Sequence, residues 1–125
     1  MFKVFRCNKC GQVVVRVKDS ACTPKCCGEP MQELTANTTD AAQEKHVPVI
    51  EQADGKVTVK VGSVAHPMDE DHFISPIFLE TTEGVRIKEL KPGEAPEATF
   101  SLGADEKVIA AYEYCNKHGF WKAEA

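Results

Sequence analysis

The chain has 125 residues with a formal net charge of −4, and 42% of its residues are hydrophobic. This length allows one ordinary domain, or one domain with a small appendage. Charges of both signs are interspersed, so no basic stripe indicates a nucleic-acid partner. No apolar run approaches the length that spans a membrane.

The start of the chain indicates a reducing compartment. The first six residues lead directly into Cys7, without the apolar region and cleavage site of a secretory signal. We therefore expect a cytoplasmic protein. Because thiols stay reduced there, clustered cysteines are interpreted as metal ligands before they are interpreted as disulfides.

A cysteine-rich segment opens the chain. Cys7 and Cys10 are separated by two residues and followed by a glycine, which is the pattern of a metal-binding knuckle. Residues 12–18 predict a valine-rich strand, and Cys26 and Cys27 then begin a turn-forming run. Adjacent ligands require a tight turn, because successive side chains of a strand point to opposite faces.

The spacing alone leaves the ligand set open. Four thiolates bind iron or zinc tetrahedrally. Cys7, Cys10 and Cys26 are common to two possible sets, and the fourth member is either Cys22 or Cys27. The same spacing is also compatible with a zinc ribbon that has only a structural role. In each case a segment of about 35 residues needs a metal ion to hold it together.

Small polar residues without an apolar period occupy positions 35–43, which predicts a linker, with a short helical turn at residues 40–44. We place the boundary near Asn37. The predicted units are therefore residues 1–37 and residues 38–125.

The second unit has an all-β pattern. Asp54-Gly55 and Glu83-Gly84 each lie between two strand-like segments and predict hairpins. About seven short strands with turns at regular intervals favour an immunoglobulin-like antiparallel sandwich. Six of these strands are placed at residues 46–52, 56–61, 74–82, 85–90, 97–102 and 107–114.

The chain's four histidines and its last cysteine lie at predicted strand ends or in loops. Cys115 and His118 follow the last predicted strand and are three positions apart, so a thiolate and an imidazole can reach one transition metal from a single turn. A rigid sandwich can bring distant loops together. We predict one shared metal site formed by His46, His66, His72, Cys115 and His118.

The cysteine order of the first unit, Cys-x-x-Cys, fifteen residues and then Cys-Cys-Gly-x-Pro-Met, resembles the desulforedoxin iron site. The resemblance implies a mononuclear iron with four sulfur ligands, which is a rubredoxin-like electron-transfer centre. It assigns the ligands as Cys7, Cys10, Cys26 and Cys27, and it leaves Cys22 as an extra thiol.

The second unit resembles superoxide reductase. The matching segments include Glu-Lys-His-Val-Pro at residues 44–48, Ala-His-Pro-Met at residues 65–68 and Glu-Tyr-Cys-Asn-Lys-His-Gly at residues 113–119. With the cysteine cluster, the whole chain resembles desulfoferrodoxin, the two-iron form of that enzyme. The resemblance implies a second iron ringed by His46, His66, His72 and His118, with the Cys115 sulfur on its axis.

The same resemblance implies an enzyme that reduces superoxide by one electron to hydrogen peroxide without releasing dioxygen. This detoxification of oxidative stress suits an anaerobe, and reduced rubredoxin is the implied electron donor. Lys45 matches the family's loop lysine, whose charge attracts the anion, and Glu44 matches the glutamate that ligates the sixth position in the oxidised enzyme. A homodimer is expected, because a small metal-stapled unit gains from a partner surface.

The residues alone allow two other functions. A sandwich with a Cys-x-x-His pair and an upstream histidine is close to a blue-copper electron carrier, although no methionine follows His118. The second alternative is a zinc-stabilised binding module without enzymatic activity. Tyr114, Phe120 and Trp121 are expected to be core or interface residues.

Overall fold

The computed structural model describes residues 2–38, 46–62 and 66–125, and each regular element within them is a β-strand. The all-β prediction is confirmed. The chain divides into two compact units, Met1–Thr35 and Ala36–Ala125. Within the described ranges, no helix is long and apolar enough to cross a membrane. The helical turn predicted at residues 40–44 lies outside the described residues.

Two small antiparallel sheets form the first unit. One has the strand order β2-β1-β5, and the other is the hairpin β3-β4. Its buried core consists of Phe5, Cys7 and Met31. So small a core cannot stabilise a unit of this size without a further cross-link. The strands are β1 (Lys3–Arg6), β2 (Val13–Arg16), β3 (Lys25–Cys26), β4 (Glu29–Pro30) and β5 (Gln32–Glu33).

The turn between β3 and β4 explains how two adjacent cysteines can face the same point. Cys27 has φ of 52° and Gly28 has φ of 76°, so both turn residues are left-handed. Two consecutive positive φ values are typical of the tight two-residue hairpin turn. Cys26 is the last residue of its strand and Cys27 the first of the turn, so their side chains do not alternate as they would along a strand.

Seven strands in two antiparallel sheets form the described part of the second unit, and the predicted immunoglobulin-like sandwich is confirmed. The sheet orders are β10-β7-β6 and β12-β11-β8-β9. The strands are β6 (Pro48–Ala53), β7 (Lys56–Val61), β8 (Ile74–Thr81), β9 (Gly84–Lys88), β10 (Glu97–Ser101), β11 (Val108–Cys115) and β12 (Gly119–Glu124).

The sandwich core follows from strand alternation. Val57, Val59 and Val61 on β7 are at most 1% exposed, and they belong to one buried cluster with Ile77 and Leu79 on β8. Burying a side chain of this size stabilises a fold by roughly 1.5–3 kcal/mol. Cys115 belongs to the same cluster. The last residue of β11 therefore brings a thiol into the packed interior.

Two details differ from the sequence prediction. Gly84 pairs with Thr81 at the start of β9, so the hairpin turn is Thr82-Glu83 and lies one residue earlier than predicted. The final strand, β12, was not predicted, and it pairs with β11 from Cys115↔Gly119 to Ala110↔Glu124. The expectation that Cys115 and His118 follow the last strand is therefore wrong, because Cys115 is the last residue of β11 and His118 lies in the turn from β11 to β12.

The buried carboxylate of Glu106 contacts three separate segments of this sandwich. Glu106 is 8% exposed and accepts hydrogen bonds from the Gly103 amide at 2.9 Å and from the Thr81 hydroxyl. It also forms an ion pair with Arg86. The Gly103 amide first, then the Thr81 hydroxyl and the Arg86 charge, hold the pKa of Glu106 below its ordinary value.

We expect Glu106→Gln to destabilise the fold at neutral pH, because the charge that these donors stabilise is lost. The folded-state pKa is depressed, so this stabilisation is present above the unfolded pKa of about 4.3 and is lost as pH falls through the folded value. Urea unfolding at a series of pH values should give a difference from wild type that shrinks with acidification. The exposed Glu97→Gln is the control, and a difference independent of pH would contradict the prediction.

Candidate metal centres

Four thiols of the first unit meet at one point. Their Sγ atoms lie within 4.8 Å of one another. The Cys10–Cys26 and Cys26–Cys27 sulfur separations are 3.6 Å and 3.8 Å. Tetrahedral coordination with metal–sulfur bonds of about 2.3 Å places sulfurs about 3.8 Å apart. The group therefore fits one four-thiolate ion, and its members are Cys7, Cys10, Cys26 and Cys27.

Cys22 is exposed and is not in this group of described cysteines. The structure thus brings together the set that the desulforedoxin resemblance implies rather than the alternative set with Cys22. Sequence spacing was insufficient to choose between them, because the choice depends on the left-handed turn at Cys27 and Gly28.

The electrostatics of the four thiols favour a bound cation. The Cys7 sulfur accepts hydrogen bonds from the amides of Lys9 and Cys10, both at 3.4 Å. These amides, that of Cys10 first, lower the pKa of Cys7 to about 6. The neighbouring thiols, that of Cys10 first, raise the pKa of Cys26 to about 12. Neighbouring thiolates repel one another, so each thiol opposes the ionisation of the next. Because a metal ion binds the thiolate form, a cation here would stabilise these negative charges.

Four histidines of the second unit form a closed ring. Neighbouring ring centroids are 5.0 Å apart for His46–His66, 4.8 Å for His66–His72, 4.9 Å for His72–His118 and 4.5 Å for His118–His46. Each neighbouring pair meets edge to face, with interplanar angles from 63° to 81°. His46 therefore stands opposite His72, and His66 stands opposite His118.

The donor atoms of this ring are spaced as neighbours around one ion. The Nδ1 atom of His118 lies 2.9 Å from Nε2 of His46, 3.3 Å from Nε2 of His72 and 3.7 Å from the Cys115 sulfur. Nitrogens at right angles on a metal with bonds of about 2.1 Å lie about 3.0 Å apart. All five donor atoms lie within 4.8 Å of one another.

His66 supplies an independent test of the fit. Its Nδ1 lies 2.7 Å from the carbonyl oxygen of Pro67, which only accepts, so Nδ1 carries the proton. The other nitrogen, Nε2, is then a bare acceptor, and it is buried without a hydrogen-bond partner. A buried polar atom without a partner is costly. A metal ion at the centre of the ring would satisfy it, so the residues fit a bound ion.

Burial favours the neutral imidazoles that metal binding needs at His66 and His72, but it disfavours the thiolate that metal binding needs at Cys115. Burial lowers the pKa of His66 to about 4 and also lowers the pKa of His72. Both imidazoles are therefore neutral near pH 7 and have a free lone pair. Burial raises the pKa of Cys115, while the amides of Lys117 and His118 oppose this shift. The thiolate form there requires a nearby cation.

Both sheets contribute to this centre at one end of the sandwich. His46 lies two residues before β6, His72 lies two residues before β8, and Cys115 ends β11. His118 lies in the turn to β12, where Gly119 has φ of 91°. This left-handed conformation, which favours glycine, closes a three-residue hairpin loop. His46 and His66 are buried, whereas His118 is exposed, so the ring opens to solvent on one side.

The sequence analysis missed two residues that contact candidate ligands or the backbone beside them. Asn116 accepts a hydrogen bond from the Phe73 amide at 3.0 Å and donates one to the Asp71 carbonyl at 2.9 Å, so it contacts the backbone on both sides of His72. Trp121 was expected only in the core or at an interface, yet it stacks on His46 with centroids 4.9 Å apart. The sequence offered one signal for Asn116, an amide residue between the predicted ligands Cys115 and His118. Nothing in the sequence indicated that Trp121 stacks on His46.

Glu44 and Lys45, the two residues assigned catalytic roles by the resemblance, lie outside the described residues. Their roles stay predictions.

The fold and its two donor clusters define a small all-β metal-binding protein. Residues 1–34 match the family model for the desulfoferrodoxin N-terminal domain, and residues 38–124 match the model for desulfoferrodoxin. The chain therefore belongs to the desulfoferrodoxin family, and the predicted resemblance is confirmed.

Individual relatives agree over the whole length. Desulfoferrodoxins of Nitratidesulfovibrio vulgaris and Desulfarculus baarsii are each 49% identical to the chain; the matches cover 99% and 98% of it, and 97% and 95% of those proteins. The superoxide reductase of Treponema pallidum has a solved structure that matches with a TM-score of 0.87 and 37% identity, over 99% of this chain and 98% of that one. The chain thus belongs to a family that includes superoxide reductases.

We expect Cys26→Ser to lose the metal of the first unit and keep that of the second. The two donor groups share no residue, so each ion should depend on its own ligands. Elemental analysis of purified protein should give two metal ions per chain for wild type and one for the variant. Cys22→Ser is the matched control and should keep both. Loss of both metals in Cys26→Ser, or of one in Cys22→Ser, would contradict the assignment.

Proposed function

We propose that this chain is a superoxide reductase, with its catalytic iron held by His46, His66, His72, His118 and Cys115. The observation that supports the proposal is the closed ring of four imidazoles with a buried thiol beside it. Five donors on a six-coordinate ion leave one position for substrate. The exposed side of the ring admits a small anion without a large pocket.

The reaction joins one superoxide, one electron and two protons into one hydrogen peroxide. Iron, when bound, supplies the electron by passing from the ferrous to the ferric state. Only reduction takes place, so no dioxygen forms. The electron consumed in each turnover must come from an external donor, and we propose rubredoxin or a similar small redox protein for this role.

Cys115 sets the electronic character of the centre in this proposal. A thiolate ligand would raise the electron density of a bound iron, as the cysteine ligand does in thiolate-ligated haem. Cys115 is 0% exposed and packs in the sandwich core, so water is kept from the sulfur. The amides of Lys117 and His118 donate to it and moderate its basicity.

The two residues before His46 complete the proposed site. Lys45, which directly precedes His46 in the sequence, would supply a positive charge that attracts superoxide and orders water for proton delivery. Glu44 would supply a carboxylate ligand to the iron in its oxidised state. Both assignments rest on the match of the segment Glu-Lys-His-Val-Pro to the family.

The first unit carries a second iron on its four thiolates, and the second unit carries out catalysis. We propose two irons per chain, a cytoplasmic location in an anaerobe and a homodimeric state. The donor sets do not favour the alternatives. A blue-copper site uses two histidines, a cysteine and a weak axial ligand, whereas four histidines meet here. Copper, or zinc alone, in the purified protein would contradict the proposal.

We expect Cys115→Ser to abolish the reduction of superoxide, because a serine hydroxyl is a much weaker electron donor to the iron than a thiolate. Superoxide generated by pulse radiolysis should decay at its spontaneous rate in the presence of this variant. Cys22→Ser, which changes a thiol outside both donor groups, should react like wild type. Full turnover by an iron-loaded Cys115→Ser protein would show that the thiolate is not needed for the reaction.

We expect Lys45→Ala to slow the second-order reaction with superoxide by roughly tenfold at low ionic strength, because electrostatic steering contributes a factor of about 10–1,000 to such encounters. The rate should also become less sensitive to salt. Lys56→Ala is the matched control, since Lys56 is exposed at the end of β7 remote from the His66 loop. Equal rates for the two variants at low salt would exclude steering by Lys45.

A further inference from the structure

One side chain outside the donor set contacts two of its members. The indole of Trp121 lies nearly parallel to the imidazole of His46, with an interplanar angle of 18° and centroids 4.9 Å apart. Its Nε1–H donates a hydrogen bond to the carbonyl oxygen of His118 at 3.0 Å. Trp121 therefore contacts one ligand residue that precedes β6 and another that lies in the turn between β11 and β12.

The backbone of Trp121 is itself held on both sides. On one side it pairs with Glu113 of β11. On the other it forms a parallel bridge with Asn37, in which the Asn37 amide donates to the Phe120 carbonyl at 2.9 Å and the Lys122 amide donates to the Asn37 carbonyl at 2.9 Å. The indole is thus attached to a fixed strand segment rather than to a mobile loop.

His46 and His118, the two residues that Trp121 contacts, are neighbours in the ring of imidazoles. Nε2 of His46 and Nδ1 of His118 lie 2.9 Å apart. In the ligand form both nitrogens carry lone pairs, and these lone pairs repel each other when no cation or shared proton lies between them. Contacts from outside the pair favour this arrangement of the two rings in the ligand form. Trp121 supplies a contact to each residue: a stacking face for the ring of His46 and a donor for the backbone of His118.

We propose that Trp121 is a positioning residue that holds His46 and His118 in donor geometry before the metal binds. The inference rests on the proposed metal centre, because the geometry has a purpose only if these residues are ligands. Partners that orient metal ligands commonly change metal affinity by about 10–100-fold when they are removed.

Two substitutions separate the two contacts. Trp121→Phe keeps a ring that can stack on His46 but has no N–H donor, and Trp121→Leu removes both contacts. Phe120→Leu is the matched control. Phe120 is the preceding residue on β12, it is 6% exposed, and its ring contacts Phe78 and Tyr112. It therefore tests the general cost of removing an aromatic side chain from this strand.

The first readout is the position of the His46 ring in the full chain loaded with zinc, which is diamagnetic and allows NMR. Protons above an indole face are shielded, so the His46 ring protons should lie upfield in wild type and in Phe120→Leu. They should move downfield in Trp121→Leu. Unchanged His46 shifts in Trp121→Leu would overturn the stacking part of the proposal.

The second readout is the rate at which cobalt leaves the cobalt-loaded full chain in the presence of a chelator, followed by visible absorption. The first centre gives one phase, identified by its absence in Cys26→Ser, and this phase serves as an internal reference. Loss of cobalt from the second centre should be about 10–100-fold faster in Trp121→Leu, intermediate in Trp121→Phe and unchanged in Phe120→Leu.

Two results would overturn the proposal: release from Trp121→Leu at the wild-type rate, or an equal acceleration in Phe120→Leu. Failure of the proposed function gives a different result: the purified wild-type chain would then hold copper or zinc rather than iron at the second centre, or its iron form would not react with superoxide, and neither result depends on Trp121. A wild type with two metals and an unaffected Trp121→Leu variant would refute only the role of Trp121.

Discussion

Five donor atoms converge within 4.8 Å at one end of the sandwich, and this convergence places the strongest demands on the fold. The nitrogen lone pairs repel one another, one of the nitrogens is buried without a hydrogen-bond partner, and the thiol is deprived of water. A cation at the centre turns each of these costs into a favourable interaction. The core must be rigid enough to hold the donors until the cation arrives, and both sheets supply that rigidity.

The two units meet the same requirement in different ways. In the second, valine, isoleucine and leucine side chains make up most of the buried core, to which the donor Cys115 also belongs, so the metal site adjoins a larger hydrophobic framework. In the first, Cys7 is part of a core with Phe5 and Met31, so a ligand and a core residue are the same side chain. We expect the first unit to depend on its metal for folding, whereas the second depends on its metal for chemistry.

Residues that are not ligands give the second centre its geometry. Asn116 contacts the backbone on either side of His72, and Trp121 contacts both His46 and His118. Each belongs to the β11–β12 segment, which also carries Cys115 and His118. This hairpin therefore orients donors from other loops as well as providing two of its own. A bulge in the pairing of β11 with β8, between Glu113 and Cys115, lies directly beside it, as bulges near functional sites often do.

Local sequence patterns were sufficient to predict the all-β class, the Asp54-Gly55 hairpin and the alternation of Val57, Val59 and Val61, because each of these is expressed in local spacing. Residue types and positions marked the candidate ligands, but spacing left the choice between Cys22 and Cys27 open. Tertiary structure decided what depends on contacts between distant segments. Cys27 joined the cysteine group through a left-handed turn, β12 formed by pairing with β11, and Trp121 reached His46 across the sandwich. No local pattern encodes such contacts, because they exist only after the sheets have packed.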